Sequence, residues 1–115
     1  MKKILLTLVL TSLSFSSSAY FYDGNKLSEW NNSRKKVNMQ RATETDWLQA
    51  GIMRGFVMGT FDSADPNVVC SDANVTVGQI EDVVGLYIDN HPEKRTKSAA
   101  SLSLDALQQA FPCNR

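Results

Sequence analysis

Histidine occurs once in this chain, at His91, and cysteine only twice, at Cys70 and Cys113. That scarcity excludes most site chemistry at the outset. No His/Cys cluster has the spacing of a zinc site. Asp62, Asp65 and Asp72 share one segment but lack the Asp-x-Asp-x-Asp-Gly order of a calcium loop. There is no Gly-x-Ser-x-Gly elbow to present a serine nucleophile, and no glycine-rich phosphate loop. His91 directly precedes Pro92, where it reads as a helix-end cap or a surface contact rather than a general base. No catalytic residue, cofactor or metal is therefore expected, and a small hydrolase is a weak reading for want of an activated nucleophile. Charge of one sign is missing too. Twelve basic residues balance twelve acidic ones, so neither nucleic acid nor an anionic membrane is an expected partner.

Long apolar runs are equally scarce. Ile4 to Leu10, broken only by Thr7, is far short of the roughly 20 residues that span a bilayer. It follows Lys2 and Lys3 and precedes Ser17-Ser18-Ala19, the order of an export signal with small residues at the cut. Cleavage is expected after Ala19, with an uncleaved anchor as the alternative. The division is then a signal peptide over 1–19 and a single domain over 20–115, delivered to the periplasm or beyond. No cysteine lies near the cut, which argues against a lipid anchor. In an oxidising compartment Cys70–Cys113 is the one intramolecular pairing available; free or intermolecular thiols are the alternative. The cross-link contributes on the order of 4 kcal/mol in the loop-entropy account, a large share for so small a domain.

The pattern after residue 19 is helical, with no sustained alternation of period two. Asp23-Gly24-Asn25 reads as a turn. Leu27 to Lys36 reads as a short helix capped by Ser28, with Leu27 and Trp30 as apolar anchors and Asn31-Asn32-Ser33 as a weak point. Thr45 to Phe61 reads as a longer helix with Thr45 as cap. Apolar residues cover much of its surface, as in a central helix. Gly51, Gly55 and Gly59 recur along it every fourth residue, which predicts a flat stripe packed against another backbone, within the chain or between subunits. Asp62 to Asn74 is a loop. Val75 to Asn90 is a helix opened by a Thr76/Gln79 capping box, with Val77, Ile80, Val84 and Tyr87 or Ile88 inward and Glu81, Asp82 and Asp89 mostly outward. His91-Pro92 stops it, and Pro92 opens the next turn with Glu93 behind it. Ser98 to Phe111 is the last helix, with Ala100, Leu104, Leu107 and Phe111 along one face and Leu102 and Ala106 beside it. Lys94, Arg95 and Lys97 make a small basic cluster that reads first as a solvated turn. Tyr20-Phe21-Tyr22 reads as packing or fraying rather than as a sugar site. The expected fold is all-α, a single-domain bundle of about four to five helices tied by Cys70–Cys113.

Taken in order, several of these pieces form a pattern. Gly55-Phe56-Val57-Met58-Gly59-Thr60-Phe61-Asp62 is followed by Cys70, then Val75-Thr76-Val77-Gly78-Gln79-Ile80 and Val83-Val84, then Tyr87-Ile88 and His91-Pro92-Glu93, and finally Ala106-Leu107 and Ala110-Phe111-Pro112-Cys113. This combination resembles the Rap/Tai immunity proteins of bacterial type VI secretion, over about Ala50 to Cys113. The resemblance implies a small helical periplasmic protein, usually a homodimer. It also implies a partner, a papain-like cysteine amidase effector that cleaves peptidoglycan stems. The immunity protein occludes the effector's cleft, forming a hetero-oligomer with it. Most matching residues have structural explanations, so recognition is expected on loops and exposed helix faces. The residues expected to meet the partner are Asp62, Asp65, Asn67 and Asp72 in the first loop and His91, Glu93, Lys94 and Arg95 in the second turn, supported by the exposed side of the helix between them. Two other readings share the small, exported, disulfide-tied design: an acid-stress periplasmic chaperone, and a periplasmic adaptor with this fold but no toxin partner.

Overall fold

The computed structural model of the protein describes residues 20–72 and 74–114. The export segment expected over residues 1–19 lies outside the described residues. Four α-helices follow one another, α1 Gly24–Asn38, α2 Glu44–Ser63, α3 Val77–Asn90 and α4 Ala99–Ala110, with a 3-10 turn Pro92–Lys94 between the last two. No strand occurs among the described residues. The one bridge, Asp23 to Ser98, joins the residues that cap α1 and α4. The Cys70–Cys113 disulfide is present.

Each helix begins where a side-chain oxygen satisfies its free N–H groups. At α3 this is the expected box: Thr76 accepts from the Gln79 N–H while the Gln79 side chain accepts from the Thr76 N–H. Two expected caps move. α1 is capped by Asp23, which accepts from the Lys26 N–H at 3.0 Å, not by Ser28, which is buried inside the helix. That bond holds the Asp23 carboxyl below its usual range. Gly24 fits at the first helical position because a Cβ there would come within 2.6 Å of the Arg95 Cα. α2 is capped by Thr43 in a box with Asp46, not by Thr45. Before it, Gln40 reverses the chain in the left-handed region at φ 58°.

The core draws Leu27 and Trp30 from α1, Met53 and Val57 from α2, and Ile80, Val84, Tyr87 and Ile88 from α3. From α4 come Ala99, Leu102, Ala106 and Leu107, and Val69 enters from the loop after α2. The α4 stripe is rotated from expectation: Ala99 is buried and Ala100 exposed. The polar run expected to weaken α1 instead ties the bundle together. Asn31, fully buried, donates to the Gly85 carbonyl at 3.2 Å and to Asp89 at 3.3 Å, and it accepts from Arg34. Ser33 and the Thr43 box converge on Asp46, which accepts from the Thr43 backbone, the Ser33 hydroxyl and Lys36. Those bonds, led by the Thr43 N–H, hold the Asp46 carboxyl far below the usual carboxylate range. Glu81 was expected outward but is buried, with Arg54 at 3.6 Å.

The largest departure concerns α2. Its apolar residues point in too many directions for one side to bury, and the cleaner stripes of α3 and α4 take the core. Trp47, Leu48, Ile52 and Met58 are left exposed. A Cβ built on Gly51, Gly55 or Gly59 meets nothing within 4 Å. The close packing expected for this stripe is therefore not made among the described residues.

Candidate functional site

The loop after α2 is exposed at its tip and anchored at its base. Val69 is buried in the core, the Cys70 N–H donates to the Phe111 carbonyl at 2.9 Å, and the disulfide joins the same two segments. Phe61 and Phe111 meet edge to face with centroids 6.1 Å apart. Within the loop Asp65 accepts from the backbone and side-chain nitrogens of Asn67 at 2.7 and 2.9 Å, an Asx turn that presets the backbone. Asp65, Asn67 and Asp72 are exposed here; Asp62, expected in the loop, is exposed on the last turn of α2, which runs on to Ser63. This is a shaped acidic loop whose ordering is done before any partner arrives.

The turn after α3 is held differently. His91 caps that helix, its Nδ1 2.8 Å from the Tyr87 carbonyl and its ring stacked on Tyr87 at 4.2 Å. The Arg95 guanidinium donates twice to the Ile88 carbonyl, at 3.1 and 3.0 Å, satisfying an orphan acceptor at the helix end. Lys94 donates to the Tyr87 hydroxyl at 3.1 Å, which raises its pKa, and lies over the same ring. Glu93 is exposed. Backbone bonds from Gly24 to Lys97 and from Asn25 to Arg95, with the Tyr20 hydroxyl on Thr96, fasten the turn to the N-terminal segment.

These two sets of residues are not brought together. α4 starts beside the turn, where the Ala99 N–H donates to Tyr22, and ends beside the loop at Phe111. Its 12 residues place about 18 Å between the two. Along that span α3 and α4 enclose a groove of about 300 Å³ lined by Val83, Leu86, Tyr87, His91, Ala106 and Ala110 among others. Leu86 is 62% exposed at its edge. Leu86 falls off the Ile80, Val84, Ile88 stripe, so its outward position is readable from period alone; the groove needs the packing of both helices.

Among the described residues no three His, Cys, Asp or Glu side chains gather to hold a metal ion, and no helix is long and apolar enough to cross a membrane. No curated protein matches this sequence. The family model for Rap1a immunity proteins matches residues 23–113, a span holding all four helices, both cysteines and both candidate contact segments. The chain belongs to the Rap1a immunity proteins.

Proposed function

We propose that this protein is exported to the periplasm, after cleavage of residues 1–19, and there blocks a peptidoglycan amidase delivered by type VI secretion. As a member of an immunity family it is not an enzyme, and its role is to bind a secreted effector. The observation that supports occlusion best is the prepaid order of the loop after α2. Its exposed part carries Asp65 and Asp72, with Asp62 beside it on the last turn of α2, while Val69, the disulfide and the Asx turn hold its shape. A loop already rigid loses little entropy on entering a cleft, and its carboxylates steer it toward a basic rim. The α3/α4 groove and the turn at His91 continue the surface. Lys94 and Arg95 act there chiefly by shaping the turn, since their charged groups are engaged by Tyr87 and Ile88. The chain pairs as a homodimer, and each subunit engages one effector.

The test is inhibition of the amidase on purified peptidoglycan by the oxidised protein. Joint charge reversal, Asp65→Lys with Asp72→Lys, is expected to slow association and weaken inhibition while helix content is unchanged. Inhibition at wild-type strength by that variant removes the loop from the mechanism. Absence of any amidase that co-purifies at a fixed ratio removes the target class.

A further inference from the structure

A cleft lies between α1, α2 and the first turns of α3, distinct from the α3/α4 groove. It encloses about 440 Å³, and its lining includes Arg34, Trp47, Arg54, Glu81 and Asp82. Trp47 also lines a second cavity, beside Val37 and Gln40, and is 62% exposed. We propose that the cleft receives an arginine side chain of the effector, its guanidinium stacked on Trp47 and bonded to Glu81.

The sign of the ligand follows from which charge is left in need. Arg34 is engaged twice: its Nη1 donates to Asp82 at 2.8 Å and its Nε to Asn31 at 3.2 Å. Arg54 is 59% exposed, so water satisfies it. Glu81 is in the opposite position. Its side chain is only 9% exposed, and its ion pair among the described residues, with the Arg54 Nε at 3.6 Å, is longer than a hydrogen bond. A carboxylate taken out of water is costly unless donors replace the water. The unmet demand in this cleft is therefore for N–H donors. Arg54 is a loosely seated occupant of that place, able to swing into solvent when a better-placed donor arrives. The aromatic wall selects arginine over lysine. A guanidinium is planar, meets a carboxylate through two parallel N–H groups and stacks on an indole face. Trp47 supplies that face without having to leave the core.

The effector as the source of the arginine rests on the function proposed above. The loop after α2 leads into the α3 side of the cleft. Six residues carry the chain from Asp72 to Gly78, which lines it, so the two lie within about 22 Å. An effector whose basic rim meets that loop carries its cations within reach of the cleft.

The probe is N-acetyl-arginine methylamide, with the citrulline analogue as its uncharged twin. Binding is read from Trp47 fluorescence, with Trp47→Phe giving the signal of the buried Trp30. The arginine probe is expected to change the Trp47 emission in a saturable way, and the citrulline probe is not. Glu81→Gln is expected to weaken binding about tenfold or more, the worth of a charged hydrogen bond. Arg54→Gln is expected to tighten it, because the competing guanidinium is gone. Trp47→Ala, a change on the surface, is expected to keep wild-type helix content while weakening both probe binding by calorimetry and amidase inhibition. An equal response to the two probes, or weaker binding on Arg54→Gln, overturns the cation site. Probe binding as expected, with Glu81→Gln and Trp47→Ala inhibiting the amidase at wild-type strength, overturns the effector as the source. Absence of any co-purifying amidase overturns that source along with the proposed function, while the probe titration decides the site separately.

Discussion

Replacing both bridge cysteines, Cys70→Ser with Cys113→Ser, isolates what the cross-link contributes. The two residues stand 43 apart in sequence. Closing a loop of that length removes enough freedom from the unfolded chain to be worth about 4 kcal/mol at 25 °C. Domains of this kind have about 5–15 kcal/mol in total. The folded state loses little else. Val69 remains in the core, and the Cys70 N–H keeps the Phe111 carbonyl. The variant should therefore show nearly wild-type helix content in buffer by circular dichroism but unfold much earlier in urea. With a slope of about 1 kcal/mol per molar urea for a chain this small, the midpoint falls by roughly 3–4 M. Unfolding the wild type with a reductant present should reproduce the shift. A double-serine variant within about 1 kcal/mol of the oxidised protein would refute the reasoning, because it would mean the unfolded chain already holds these segments together.

Three further outcomes follow from the interior. Asn31→Ala removes the bonds to the Gly85 carbonyl, Asp89 and the Arg34 Nε, leaving Arg34 to Asp82 alone, and should cost about 1–3 kcal/mol in urea unfolding; Gly85→Ala should also destabilise, since its Cβ would stand 2.5 Å from the Asn31 Oδ1. Ser103 has a buried hydroxyl with no partner among the described residues, so Ser103→Ala should raise stability by about 1 kcal/mol, read as a later urea midpoint. Asp46 has a folded pKa held below its unfolded value of 3.8, so its stabilising effect is complete above that pH and is lost as pH falls through the folded value. Asp46→Asn should thus unfold earlier than wild type at pH 7, and the gap in urea midpoint should persist to about pH 4 and narrow only below it.

The helices were legible where one segment carries its own boundary signals. Thr76 and Gln79 announce α3, and His91-Pro92 ends it, because capping is chemistry among residues three or four apart. The start of α1 was not legible. Asp-Gly-Asn is turn chemistry until one knows that Gly24 lies against Arg95, a contact spanning most of the domain. Asn31 and Ser33 read as helix weakeners for the same reason: their partners, Gly85 and Asp46, belong to other helices. Period alone misjudged α2, since it reports which residues are apolar and not which side finds a neighbour. At the candidate site the exposure of the acidic loop was readable from composition. The engagement of Lys94 and Arg95 by α3 was hidden, because a helix carbonyl attracts a cation without leaving any mark in the spacing of charges.

α4 holds its two flanking segments about one helix length apart, and that separation has a consequence for how specificity changes. The disulfide loop and the His91 turn are each held by their own bonds, Cys70 to Phe111 in one and His91 and Arg95 to α3 in the other, so a substitution in one is expected to leave the other's shape alone. On the proposed reading, with both segments as effector contacts, recognition becomes a two-key arrangement. A drift in the effector near one key can be answered locally, without re-solving the fit at the other. Cross-protection against a related effector then becomes graded, retained in part when one key still fits, and the rigid spacing between the keys is the feature under the tightest constraint.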